Sequence, residues 1–228
     1  MTRSGAILVV AAGLVVTSAG NAPSRPWPPA LVESPAVLTP EVSAVLERVL
    51  TTPTLRRRVH AGSARAPLEV YLAFLDTPEV SAAAARFLKL TSYDVHVLDD
   101  DRYEGDDGEG ARGFSQVLQR DRQRRVIFSQ GEYTGPIFGT VRGSALMVLD
   151  LEPRGDSIDP NLTLGFLADR KLTRGLRITA EVAEWAVDRP GEFCAWLARE
   201  PLATDRRHRI VAALPACSRT GQSLESKP

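Results

Sequence analysis

The stretch Gly139 to Glu152 reads GTVRGSALMVLDLE, and its patterning decides the fold. Val141, Gly143, Ala145, Met147, Leu149 and Leu151 form one alternate set, apolar or small throughout. Thr140, Arg142, Ser144, Leu146, Val148, Asp150 and Glu152 form the other, which is mostly polar. A period of two is the signature of a strand with one buried face. At about 3.3 Å per residue the run would extend roughly 45 Å, longer than an ordinary strand. A strand of that length bends, and Gly143 is the expected place for a bulge or kink. The stretch is therefore expected as the central strand of a curved antiparallel sheet.

Working outward, Tyr93 to Leu98, Phe114 to Arg120, Arg125 to Tyr133 and Asn161 to Arg170 alternate in the same way. With the central strand they make five strands in a meander joined by polar turns. A further short strand is expected at Arg102 to Glu104, and Glu152 to Pro160 reads as a loop. Ahead of the sheet, Thr39-Pro40-Glu41 offers a cap, an N1 proline and a first-turn acid. A helix with Val42, Val45, Leu46, Val49 and Leu50 on one stripe follows. Leu55 to Val59 is a short strand. Pro67 to Leu75 and Thr77 to Leu90 form a helical pair. After the sheet, helical spacing runs from Thr173 to Leu197, interrupted at Arg189-Pro190. The tail from Ala203 holds one apolar patch, Ile210 to Leu214.

The chain has 228 residues, with 28 basic and 28 acidic side chains. That length suits one domain with a full core plus extensions. Balanced charge argues against nucleic acid as a partner. Residues 1–22 have the build of a secretory signal peptide: Arg3, the apolar run Ala6 to Val16, then small residues with cleavage after Ala19 or Ala22. An uncleaved N-terminal anchor is the alternative. After cleavage no stretch is long and apolar enough to span a bilayer. A periplasmic or secreted location is thus expected. Residues 23–38 are a Pro-rich linker containing Trp27. In an oxidising compartment Cys194 and Cys217 either pair, pinning the tail to the domain, or remain two thiols.

Taken together, these elements divide the chain into a signal peptide (1–22), a linker (23–38), an N-terminal helix (39–53), an α+β domain (54–200) and a tail (201–228). The order of short helices, antiparallel strands and long C-terminal helix resembles the helix-grip fold of the START-like superfamily, which includes polyketide cyclases and lipid-transfer domains. The resemblance covers about Leu55 to Leu197 and rests on element order and patterning. It implies a curved antiparallel sheet wrapped around the C-terminal helix. The helix at Thr39 to Leu50 is extra to that pattern, and Pro190 breaks the long helix. The resemblance also implies a tunnel between sheet and helix, lined by Met147, Leu149, Leu151, Leu164, Phe166, Ile178, Val182 and Trp185. The alternative is that these side chains fill a solid core.

Chemistry-bearing motifs are sparse. The acidic run Asp99 to Glu109 does not match the EF-hand pattern and reads as a hairpin turn. His60, His96 and His208 lack metal-ligand spacing. Neither a nucleophile elbow nor a phosphate loop occurs, so no catalytic residue, metal or cofactor is implied. Arg142, with Arg112, Arg125, Glu132, Asp150 and Glu152, reads as part of cross-strand ion pairs on a wet face. The sharper alternative has one arginine, Arg142 first, projecting into the tunnel to hold an anionic head group. The leading expectation is a non-enzymatic, exported protein that binds a hydrophobic small molecule or lipid. A cyclase- or hydrolase-type enzyme using the same pocket, and an interaction protein with a solid core, are the alternatives.

Overall fold

The computed structural model describes residues 39–60, 62–135, 139–168 and 176–217. The expected signal segment, the Pro-rich stretch with Trp27 and the start of the helix expected from Thr173 lie outside the described residues. Thirteen elements follow in chain order: α1 (Pro40–Thr51), β1 (Leu55–His60), α2 (Leu68–Leu75), α3 (Pro78–Phe87), β2 (Asp94–Val97), β3 (Arg102–Asp106), β4 (Ala111–Arg120), β5 (Arg124–Gly135), β6 (Gly139–Arg154), β7 (Ser157–Ala168), α4 (Leu176–Asp188), α5 (Pro190–Leu197) and α6 (Thr204–Ala213). Seven strands make one antiparallel sheet in the order β1-β7-β6-β5-β4-β3-β2. Strands β2 to β7 run as a meander, and β1 closes onto the outer side of β7. The α2–α3 pair and α4 pack at the inner face. This is the α+β helix-grip arrangement.

Strand β6 pairs with β5 from Gly139 to Asp150 and with β7 from Gly143 to Arg154. Three features of it depart from the sequence expectation. Its pairing with β5 runs through Gly143 without a slip, and the register shift falls instead on β4, between Val117 and Gln119. The Glu152 to Pro160 segment is not a loop, because β6 and β7 meet at a tight hairpin around Gly155, whose φ of +63° suits glycine. Both prolines tolerate this. Leu151 N bonds Gln123 O on the β5 side, so Pro153, two residues on, would aim its missing N–H past the start of β5. Pro160 falls between the His60–Asn161 pair and the Ala64–Ile158 bridge on the β1 side.

The third departure concerns the second alternate set. Leu146 and Val148 are fully buried, together with Leu118, Val126 and Phe128 of the neighbouring strands. Helix α1 covers them with Leu46 and Val49, and Val42, Val45 and Leu50 pack at the margin. The helix starts as its sequence dictates, with the Thr39 hydroxyl accepting from Val42 N at 3.4 Å and Pro40 at the first turn. The extra helix is thus the cover of the outer face.

On the inner side the Thr173–Leu197 helix is two helices. Arg189, at φ −133° and ψ 61°, separates α4 from α5, as Pro190 requires of its predecessor. Phe193 and Trp196 of α5 then pack around Trp185 of α4, with ring centroids 5.1 and 5.6 Å away. The tail also differs from expectation, since it contains α6. Ile210 and Leu214 are buried in the same cluster as α2 and α4. Cys194 and Cys217 form a disulfide across 23 residues, which by loop entropy stabilises the fold by about 3 kcal/mol.

Two ion clusters fix the helices to the sheet. Arg125, on the inner face of β5, grips both oxygens of Asp76 at the α2–α3 junction at 2.8 and 2.7 Å. Arg206 of α6 is buried, 3.5 Å from Glu79, 3.0 Å from Asp100 and 3.4 Å from Asp205. Burial raises the Glu79 carboxyl above its ordinary value of 4.5, outweighing the pull of Arg206.

Two outcomes follow from this packing. Leu146→Ala is expected to cost about 2–5 kcal/mol in urea denaturation, and a loss under about 1 kcal/mol would show that α1 does not seal the outer face. For Glu79 the folded state holds the proton more tightly than the unfolded chain. Its contribution therefore becomes less favourable as pH rises above 4.5. Glu79→Gln should lose no stability relative to wild type on going from pH 4 to pH 7. A gap widening in favour of the carboxylate would refute this.

Candidate functional site

The inner face of the sheet is the candidate site, and its strands present four kinds of surface in register. Toward the β6–β7 hairpin, Leu149 and Leu151 pack with Ile158, Tyr71, Phe74, Val182 and Trp185 in a helix-covered core. In the middle of the sheet, Met147, Leu162 and Leu164 join Val117 and Ile127 in a second buried cluster. Ala82 of α3 is the one helical residue among this cluster's described members. The next transverse row is Tyr103, Ser115, Ser129, Ala145 and Phe166, each opposite its neighbour. Beyond it runs a row without side chains larger than methyl: Gly105, Gly113, Gly131, Gly143 and Ala168.

The hydroxyl row is the polar element of this floor. Ser115 and Ser129 are 2% and 1% exposed, and their hydroxyls lie 2.8 Å apart. Tyr103 bonds Ser115 as well, while burial pushes its phenol up to about 12. It is therefore a neutral donor at any ordinary pH. The glycine row lets side chains lie close to the backbone. A Cβ at Gly105 would sit 1.7 Å from Tyr93 Oη, so Tyr93 can cover that strand only because the position is glycine.

The structure brings most of the sequence-derived lining residues together. Met147, Leu149, Leu151, Leu164, Phe166, Val182 and Trp185 all lie in the two inner clusters and are buried. The side chain of Ile178 lies outside the described residues. Arg142 does not belong with them. It shares the outward parity of Leu146, its side chain is 83% exposed, and it pairs with Glu132 at 3.2 Å. The groove it borders, about 610 Å³ with His96, Glu104, Arg112, Phe114 and Gln130, is on the outer face. Arg125 has the inward parity and is buried, and its charge is already met by Asp76 and by the carbonyls of Asp121 and Arg124.

Tyr103, Ser115 and Ser129 are absent from the sequence-derived lining. Each sits at the correct parity of its own strand, but only the register aligns them into one row. Gly105, Gly113, Gly131 and Gly143 were equally readable singly and equally mute about alignment. The acidic turn resolves into ordinary capping, with Asp107 Oδ1 accepting from Glu109 N and Ala111 N. Among the described residues no group of three His, Cys, Asp or Glu side chains is placed to hold a metal ion. No described helix is long and apolar enough to cross a membrane.

No protein-family model matches the chain, and no curated protein matches it. Solved structures do. An uncharacterized protein from Rhizobium leguminosarum aligns at 12% identity over 60% of this chain and 99% of its own, with a TM-score of 0.40. Ara h 8.0201 aligns at 9% identity over 59% and 99%, with a TM-score of 0.39. An aromatase/cyclase from a Streptomyces species aligns at 14% over 73% and 96%, with a TM-score of 0.25. The chain has an α+β helix-grip fold. Its own strand order, its α2–α3 pair and its inner α4 carry that statement.

Ser129→Ala is expected to cost about 1–2 kcal/mol, since it leaves the buried Ser115 hydroxyl with one partner fewer. The Ser115→Ala, Ser129→Ala double variant should cost less than the sum of the singles. Additive losses in denaturation would mean that the two hydroxyls are not a coupled pair.

Proposed function

We propose that the protein binds a hydrophobic small molecule or lipid between the inner face of its sheet and α4, and that it does so as an exported chain. One observation carries the binding reading. The middle of the inner face is an apolar floor of Val117, Ile127, Met147, Leu162, Leu164 and Phe166, followed beyond the hydroxyl row by a row with no side chain larger than methyl, and Ala82 alone of the described helical residues belongs to the floor's cluster. A ligand laid on such a floor gains about 25 cal/mol for each Å² of apolar surface it removes from water. Buried hydroxyls at one border give the surface a polar landmark. The signal-like N-terminal segment and the Cys194–Cys217 disulfide support export.

Intact-mass measurement under native conditions, on protein purified from its source, tests both parts. The expected result is a chain beginning after Ala19 or Ala22 and carrying an added mass released by organic solvent. Ala145→Trp, which fills the floor beside Ser129, should abolish the added mass while the far-UV spectrum stays unchanged. A bare polypeptide mass, with no uptake of a fluorescent fatty acid, would refute the binding reading. An uncleaved N-terminus on otherwise loaded protein would refute export by a cleaved signal.

A further inference from the structure

Two donors in the helical core have no acceptor. Tyr71 Oη on α2 and Trp185 Nε1 on α4 are buried without a hydrogen-bond partner, in residues 0% and 3% exposed. Both belong to the cluster that contains Leu149 and Leu151 of the inner face. They stand on one connected set of rings. Trp185 meets Phe193 at 5.1 Å, Phe193 meets Phe74 at 5.4 Å, and Phe74 follows Tyr71 by three residues on α2, hence on the same side of the helix. Packing alone does not explain the polar atoms, because phenylalanine would fill the place of Tyr71 as well. Buried polar groups in native proteins are nearly always paired, and an unpaired one is a standing loss of stability.

The missing partner has a definite chemistry. An indole N–H can only donate. Burial raises the Tyr71 phenol well above the ordinary tyrosine value, so it stays protonated. What answers both groups is an oxygen acceptor. The place is also one ring from solvent. Phe87, 46% exposed, stacks on Trp185 at 5.5 Å with 29° between the planes.

We propose that the bound hydrophobic ligand carries an acceptor oxygen, of a carboxylate or a carbonyl, and presents it to Tyr71 Oη and Trp185 Nε1. This rests on the ligand-binding reading above and adds the polar class and orientation of the ligand. The hydroxyls of Ser115 and Ser129 bond each other, so each already has a partner, which Tyr71 Oη and Trp185 Nε1 lack.

Three fluorescent probes test it on the full mature chain: parinaric acid, its methyl ester, and the hydrocarbon diphenylhexatriene. Tyr71→Phe is expected to weaken the acid, the ester or both by about fivefold to tenfold and to leave diphenylhexatriene unchanged. Loss for the acid alone assigns a carboxylate, and loss for the ester as well assigns a carbonyl. The ligand-free variant should melt at or above the wild-type temperature, because it sheds an unpaired hydroxyl. The Trp185 indole N–H resonance should shift on adding the acid or ester and stay in place with the hydrocarbon. If all three probes bind wild type and Tyr71→Phe affects none or all equally, the acceptor proposal falls and the ligand-binding reading stands. A ligand-free Tyr71→Phe that melts lower would show that the protein already satisfies the hydroxyl, and would overturn the proposal. Failure of wild type to bind any probe would overturn both.

Discussion

The structure depends on the burial of β6 from both sides. Met147, Leu149 and Leu151 need cover on one face, and Leu146 and Val148 need it on the other. Each such side chain contributes about 1.5–3 kcal/mol when fully buried, so a sheet covered on one face alone would forgo much of its stability. The two covers come from different parts of the chain. Helix α1 precedes every described strand and takes the outer face, while α2 and α3, together with α4 and α5 after the last strand, take the inner one. The dependence is mutual. A helix of twelve residues such as α1 is marginal alone in water, and it holds because Leu46 and Val49 have Leu146, Val148 and Phe128 to pack on.

The helical side solves a different problem, which is to hold short pieces in place. Pro190 divides what the pattern reads as one helix, and the division lets Phe193 and Trp196 turn toward Trp185. Cys194 then faces the end of α6 and joins Cys217. At the other end, the Arg125–Asp76 pair ties the α2–α3 connector to β5. A pair so little exposed strengthens the fold less than it specifies the docking, because desolvation offsets most of its attraction. The inner face is therefore framed by fixed points: a disulfide, an ion pair and a ring cluster.

Much of this fold was legible in the chain. The period-two runs located the meander strands, and Thr39-Pro40-Glu41 and the matching Thr77-Pro78-Glu79 mark the starts of α1 and α3, because local chemistry dictates those elements. Illegible features needed partners distant in sequence. Leu146 and Val148 looked like exceptions on a wet face until α1 was placed over them. Pro153 and Pro160 looked like strand breakers, and only the pairing shows that their missing N–H groups fall where no strand asks for one. Arg142 and Arg125 are both strand arginines, and a parity defined by the register separates the exposed one from the inward one. Helix α6 has a weakly apolar pattern, and its stability comes from Ile210, Leu214, the Arg206 cluster and the disulfide. Met147, Leu149 and Leu151 are buried on the face that the alternation of the central strand assigns them.

The polar groups of the interior are arranged asymmetrically, and the asymmetry has a physical meaning. On the sheet, Tyr103, Ser115 and Ser129 are bonded to one another in a row, so each has a partner beneath the apolar contacts. On the helices, Tyr71 and Trp185 have no such arrangement, although both are as deeply buried. Had the interior been selected only for a solid core, the Tyr71 hydroxyl would be the easier one to remove, since phenylalanine packs in its place without the loss. On the proposed reading, a donor kept unpaired in an apolar interior is a preorganised contact, its desolvation complete before the acceptor arrives. On the reading proposed above, an amphipathic guest would lie with its apolar body along the Met147–Leu164–Phe166 floor and its oxygen toward the unpaired donors of the helices.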